Sequence, residues 1–207
     1  ESHEAGKVKK DVPILVVLGN PPYSYESPNK GEWITDVIKE YYKVDGKSIG
    51  EKNPKGLQDD YVKFIRFSQC KIDQAGEGVL GFITNHSYLD NPTFRGMRQS
   101  LMNTFDEIYI LDLHGNSSKK EKSPDGSKDE NVFDIQQGVA IAFFIKHKKE
   151  KTKAIVHKEI FGLRETKYDW LNKHNIKSII WNKLEPKSDF YLFIPQDVSL
   201  FSAYQHY

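Results

Sequence analysis

Cysteine is almost absent from this sequence. Cys70 is the one thiol in 207 residues, so an internal disulfide and a cysteine-based zinc site are excluded, and a reducing compartment such as the cytoplasm is the expected home. Long apolar runs are absent as well. The longest, Val139 to Ile145, falls far short of the ~20 residues of a transmembrane helix, and no charged-then-apolar signal segment stands at the amino end, so no membrane partner is expected. Charge of one sign is not in excess: 30 basic side chains face 29 acidic ones, and any pull toward nucleic acid must come from local clustering. Methionine does not occur before Met97, and the chain opens on Glu1, which leads us to expect a piece cut from a larger polypeptide.

What is present is ordered along the chain. Residues 1–11 are polar and lysine-rich and read as a tail or linker. Val12 to Leu18 is continuously apolar and β-branched, the pattern of a strand buried on both faces at the centre of a parallel sheet, and it stops at Gly19-Asn20-Pro21-Pro22 because consecutive prolines remove ladder donors. Helical spacing follows over 32–43 and, more strongly, over 57–74, where Asp59 and Asp60 suit the first turn and Gly76 the end. Val79 to Thr84 reads as a strand, 93–104 as a helix and Ile108 to Leu113 as a strand.

Residues 115–131 carry no apolar side chain, four lysines and four acids, and are expected to be a mobile, poorly packed insertion. The segments 138–146 and 152–160, joined by a short basic turn, read as a hairpin. A helix near 164–174 and a strand at 178–181 begin an extension, 163–207, toward a following domain. This succession indicates an α/β fold with a mainly parallel sheet and an antiparallel hairpin near one edge, with 12–162 as its main unit.

The sharpest local signal is Asn20-Pro21-Pro22-Tyr23 directly after an apolar strand; average composition places such a string in roughly one chain per thousand of this length. In open α/β sheets, ligands bind at the carboxyl ends of strands. The residue types suit one task. An exocyclic amino group conjugated to a base is a poor nucleophile. Two fixed acceptors, the Asn20 amide oxygen and the Pro21 carbonyl, can take both of its hydrogens and favour a pyramidal nitrogen, while proline holds the carbonyl in place. Tyr23 offers a flat face for an extruded base, a contact worth ~1–3 kcal/mol.

The strand plus Asn-Pro-Pro-Tyr resembles the catalytic motif of amino-group methyltransferases, above all adenine-specific DNA methyltransferases. The order that follows, with Asn85, Phe94, Arg98 and the stretch VFDIQQGVAIAFFIK, is similar to the methyltransferase part of single-chain type I-like and fused type II restriction-modification enzymes.

The resemblance implies a partial Rossmann-like methyltransferase fold, S-adenosylmethionine as cofactor, and double-stranded DNA with a flipped adenine as partner, alongside the rest of a parent polypeptide. It implies that Asn20 and Pro21 accept the amino hydrogens and face the cofactor, that Pro22 stiffens the turn, that Tyr23 stacks on the base, and that Phe144 is a second aromatic against it. Lys146, at the head of the lysine-rich run to Lys153, is a candidate phosphate contact. The family's Gly-rich cofactor loop belongs ahead of the Asn-Pro-Pro-Tyr strand, where this chain has eleven residues, so the chain alone is expected to be inactive and to bind the cofactor weakly.

Two readings compete with this one: a protein glutamine methyltransferase with the same motif, and a non-catalytic binding module. Long loops favour DNA over the first. The string Gly76-Glu77-Gly78-Val79-Leu80-Gly81 fits a dinucleotide fingerprint by letter but follows a helix and opens a strand, the reverse of what that turn requires. Seven histidines show no pair at metal-ligand spacing, so the sequence proposes no metal site.

Overall fold

The structure, a computed structural model, describes residues 12–24, 27–149 and 151–195 together with Glu4, Gly6 and Lys7. Most of the tail 1–11 and all of 196–207 lie outside the described residues.

A six-stranded sheet organises the chain. Its strands are β1 (Val16–Gly19), β4 (Gly78–Asn85), β5 (Glu107–Asp112), β6 (Val139–Lys146), β7 (Ala154–Glu159) and β8 (Asn182–Leu184), in the spatial order β1-β4-β6-β5-β7-β8. Strands β1, β4, β5 and β7 run one way, and β6 and β8 run against them. A separate antiparallel pair, β2 (Lys43–Val44) and β3 (Lys47–Ser48), turns at Asp45-Gly46, where both residues have positive φ as the tightest hairpin turns demand.

The main helix, α2 (Asp60–Ala75), follows the short α1 (Glu32–Val37) and is stopped at both ends by its own sequence. The Asp59 carboxylate accepts from the Tyr61 amide, and Gly76 takes the left-handed conformation at φ 80°. Tyr61, Val62, Ile65 and Ile72 make its buried face, and the helix packs on β4. Helix α3 (Arg95–Thr104) buries its own Met97 and Leu101, and α4 (Arg164–Lys173) precedes β8.

Four expectations need correction. First, the apolar run at 12–18 forms a strand only from Val16, and that strand is the edge of the described sheet, with Val16 58% and Leu18 66% exposed. An apolar β-branched run specifies extended backbone, not what covers it.

Second, β6 and β7 are not a hairpin. Strand β5 lies between them, its Tyr109 opposite Phe143 on one side and Val156 on the other. Asp106, just ahead of β5, accepts the His147 amide on its carboxylate and the Ala154 amide on its carbonyl, both at 2.8 Å, so the connection 147–153 steps across β5. The reversed strand β6 therefore sits inside the sheet.

Third, the insertion 115–131 is anchored at its two ends through polar groups, while 117–120 and 124–128 are exposed as expected of a surface segment. Asp129 accepts the amides of Gly115 and Gly162 and pairs with Lys167 at 2.8 Å, and both of these side chains are fully buried. Lys167 also donates to the carbonyls of Leu113 and Glu130.

Fourth, the last strand begins at Asn182, one residue beyond the predicted 178–181. The described part of the 163–207 extension joins the same core: Phe193 is fully buried, and the guanidinium of buried Arg98 donates to the carbonyls of Phe190 and Tyr191 as well as Tyr88 and Asn91.

Candidate active site at the carboxyl end of the sheet

The Asn20–Tyr23 turn leaves β1 at the end of the sheet where β4 and β5 also finish, beyond the Gly19–Phe82 register. Asn20 and Pro22 are exposed, Pro21 is buried and Tyr23 is half-buried. The Tyr23 hydroxyl donates to Asn20 Oδ1 at 3.1 Å, with the Ile83 carbonyl at 3.4 Å. A carbonyl oxygen has two lone pairs, so Asn20 keeps acceptor capacity toward solvent. The edge of the Tyr23 ring meets Tyr61, with centroids 6.3 Å apart and planes at 90°, and Tyr61 in turn contacts Tyr88. Burial pushes the Tyr23 phenol up to about 12, so its hydroxyl stays protonated and remains a donor. Behind the turn, the Ser24 amide donates to Asp59 Oδ1 at 3.0 Å, tying the motif to the start of α2.

Asn20, Pro21, Pro22 and Tyr23 are thus held together; Phe144 and Lys146 are not with them. Phe144 is 0% exposed, opposite Leu80 and Ile108 at the other end of the sheet, with its ring 5.4 Å from Phe105. Lys146 stands opposite Gly78, where β4 begins, and pairs with Asp73. Because β6 runs antiparallel, the end of its sequence lies at the amino end of its neighbours, so the expected base contact and phosphate contact are corrected: these two residues close the far side. The lysine run has local employment there, since Lys153 Nζ donates to the carbonyls of Met102, Asn103 and Phe105 and caps α3.

An aromatic that the sequence pattern did not single out lies at the same end as the Asn20–Tyr23 turn. Phe133 sits in the segment before β6, half-buried, in the same apolar cluster as Tyr23, Ile83 and Ile141. Asn131 Oδ1 accepts its amide, and Arg164 donates to its carbonyl. The signal available was its place before, rather than at the end of, an antiparallel strand.

A polar cluster fills the ends of β4, β5 and β7. His86 Nδ1 meets Asp112 Oδ1 at 3.0 Å, and His114 Nδ1 meets Glu121 at 2.8 Å. The His86 ring reaches Asp112 by lying over Gly138, where an added Cβ would come within 2.4 Å of the imidazole. Burial alone would lower the His114 pKa, but the carboxylates of Glu121, Glu159 and Asp112 more than offset it and raise the group to about 9.

With that geometry in view, the Eco57I restriction-modification methylase family matches residues 4–119, more than half of the chain. The chain belongs to that family. Among solved structures it is similar to "Structure of a nuclease-deletion mutant of the Type ISP restriction-modification enzyme LlaGI in complex with a DNA substrate mimic" (26% identity, 96% of this chain and 20% of that one, TM-score 0.79). It is similar as well to the ATP-dependent Type ISP restriction-modification enzyme LlaBIII bound to DNA (28% identity, 92% and 13%, TM-score 0.76) and to the DrdV–DNA complex (28% identity, 90% and 18%, TM-score 0.74). No curated protein matches the chain. The chain spans a fifth or less of the length of each of these structures. No helix among the described residues is long and apolar enough to cross a membrane.

Proposed function

We propose that this chain is the substrate-facing half of a methyltransferase that modifies the exocyclic amino group of adenine in DNA, within a larger restriction-modification polypeptide. The observation that carries the reading is the Asn20–Tyr23 turn, anchored through Ser24 to α2 and open at Asn20, at the carboxyl end of a mainly parallel sheet.

S-adenosylmethionine, when bound, supplies the electrophilic methyl group. Asn20, an exposed amide at an open sheet edge, suits its methyl-facing side, and Pro21, buried beside it, fixes the backbone of the turn. The described residues contain no glycine-rich strand-to-helix turn to hold the rest, so binding by the chain alone is expected to be no tighter than about millimolar, near −4 kcal/mol.

The chain's own residues act on the amino group. Asn20 Oδ1 and the Pro21 carbonyl accept its two hydrogens and draw the nitrogen lone pair out of conjugation. As positive charge grows on that nitrogen, the same two oxygens stabilise the N–H bonds. Neither is basic, so the released proton leaves to water. Tyr23 holds one face of the base, and its hydroxyl, bonded to Asn20, fixes the amide's orientation. Phe133 is the second aromatic wall, the role first assigned to Phe144.

In the enzyme that carries this chain, Asn20→Ala is expected to cut labelled methyl transfer to duplex DNA by about 10²–10³-fold, corresponding to ~3–4 kcal/mol of barrier, with the melting temperature nearly unchanged. Activity within a few-fold of wild type would sink the reading. Transfer to a glutamine peptide instead of DNA would change the substrate.

A further inference from the structure

We infer that His86, Asp112 and His114, with Glu159 beside them, form a site for one divalent transition-metal ion of the zinc class. Ligand atoms from the first three residues converge within 4.8 Å of one another, and all three residues are largely buried. His86 Nδ1 lies 3.0 Å from Asp112 Oδ1, and His114 Nε2 lies 3.9 Å from Asp112 Oδ2 and 3.4 Å from Glu159 Oε1. Ligands bound at zinc distances in a tetrahedral shell stand about 3.3–3.6 Å apart, so these spacings surround a position where one ion fits with small side-chain shifts.

The second observation is independent of the clustering. The His114 side chain is 9% exposed, and its Nε2 has no hydrogen-bond partner although two carboxylates lie beside it. Glu159 at 3.4 Å and Asp112 at 3.9 Å face this nitrogen without closing on it in hydrogen-bond geometry, and coordination to one shared ion would draw all three together. His114 Nδ1 is already engaged by Glu121, which orients the ring and leaves Nε2 as the ligand atom, the usual outer support of a metal-bound histidine. His86 Nε2 lies 3.4 Å from the Asn116 amide, and with the ring proton on that nitrogen the Nδ1 lone pair is free for the ion.

The ligands line a cavity of about 280 Å³ together with Asp90, Glu121 and Lys119, which leaves room for a water in the shell. Three carboxylates, the buried Asp112 and the more exposed Glu121 and Glu159, meet there, and a 2+ charge offsets them. Two imidazoles with carboxylates select zinc-class ions over magnesium or calcium. Such an ion would clasp the ends of β4, β5 and β7 to one another. The inference does not depend on the proposed methyl transfer.

Its test is calorimetric titration of the chelator-treated 207-residue chain with zinc chloride, repeated with cobalt(II) to read the coordination spectrum. We expect one equivalent to bind in the low-micromolar range or tighter, raising the melting temperature, with cobalt absorption of a four- or five-coordinate nitrogen–oxygen site. His114→Gln and Asp112→Asn should each weaken binding about 100-fold, while His147→Gln, at the opposite end of the sheet, should leave it unchanged. Glu159→Gln, on a partly exposed side chain, serves if the buried variants do not fold, and should weaken binding about tenfold. No saturable binding at about 100 μM zinc, or equal binding by His114→Gln, overturns the site and leaves a closed ionic network around a protonated His114.

Discussion

The two ends of one sheet are built on opposite terms. At the amino end of the parallel strands, apolar rings meet, Phe144 on Phe105, and the charged groups outside are matched by near neighbours: Lys146 with Asp73, His147 with Glu107, Lys153 with the last carbonyls of α3. At the carboxyl end, acceptors and titratable groups are drawn together away from water, and some atoms, such as His114 Nε2, lack a hydrogen-bond partner. A polar atom left buried and unbonded is costly, so it collects where something other than stability is required. On the proposed function the same strands carry a stabilising end and a working end, and substitutions should separate the two.

Phe144→Ala should have the largest effect on folding. A fully buried ring replaced by a methyl leaves a cavity that the strands on either side cannot close, at about 3–5 kcal/mol, read as a shift of the urea midpoint. A near-neutral result, with methyl transfer lost instead, would return Phe144 to the base site. Lys167→Met should be nearly as costly, about 3–5 kcal/mol, because it strands the Asp129 carboxylate in a fully buried position. Little change would mean that 115–131 is only loosely attached.

Phe133→Ala is the counterpart at the working end. Its side chain is half-buried, so the stability loss should be modest, whereas losing one stacking wall should cost ~1–3 kcal/mol in transition-state binding, about 5- to 150-fold in kcat/KM on DNA. Equal kcat/KM in the variant and wild type would remove Phe133 from the site.

Local chemistry made much of this readable in the sequence. Helix α2 carries its own stop signals in Asp59 and Gly76, and β4 is apolar enough to be seen at once. The Asn20–Tyr23 turn is legible because all its parts are contiguous. What was hidden depends on pairing between distant segments. Nothing local tells 138–146 that its neighbours are β4 and β5 rather than β7, since apolar strands suit any of them and a short turn invites the hairpin. Resemblance to a strand ending in Phe-x-Lys points to Phe144 and the basic run that follows points to Lys146, whereas the antiparallel direction of β6 puts both at the opposite end of the sheet. His86 and His114 are 28 residues apart, so spacing rules for metal ligands could not find them; the legible trace was that each follows closely on a strand's carboxyl end.

Lys146→Ala should change least. The pair with Asp73 is 23% and 60% exposed at the two side chains, where water screens the attraction and ordering two side chains offsets much of it, so the loss should stay below about 1 kcal/mol. The informative readout is DNA affinity measured against salt. A lysine on a phosphate contributes about one unit to the slope of log K against log salt, and its removal lowers the slope by that amount at every sequence. Held at the amino end by Asp73, with the sheet between it and Asn20, Lys146 should leave both slope and affinity where they are. A slope reduced by one would mean that DNA reaches the far end of the sheet, and that the division between a working end and a stabilising end is drawn in the wrong place.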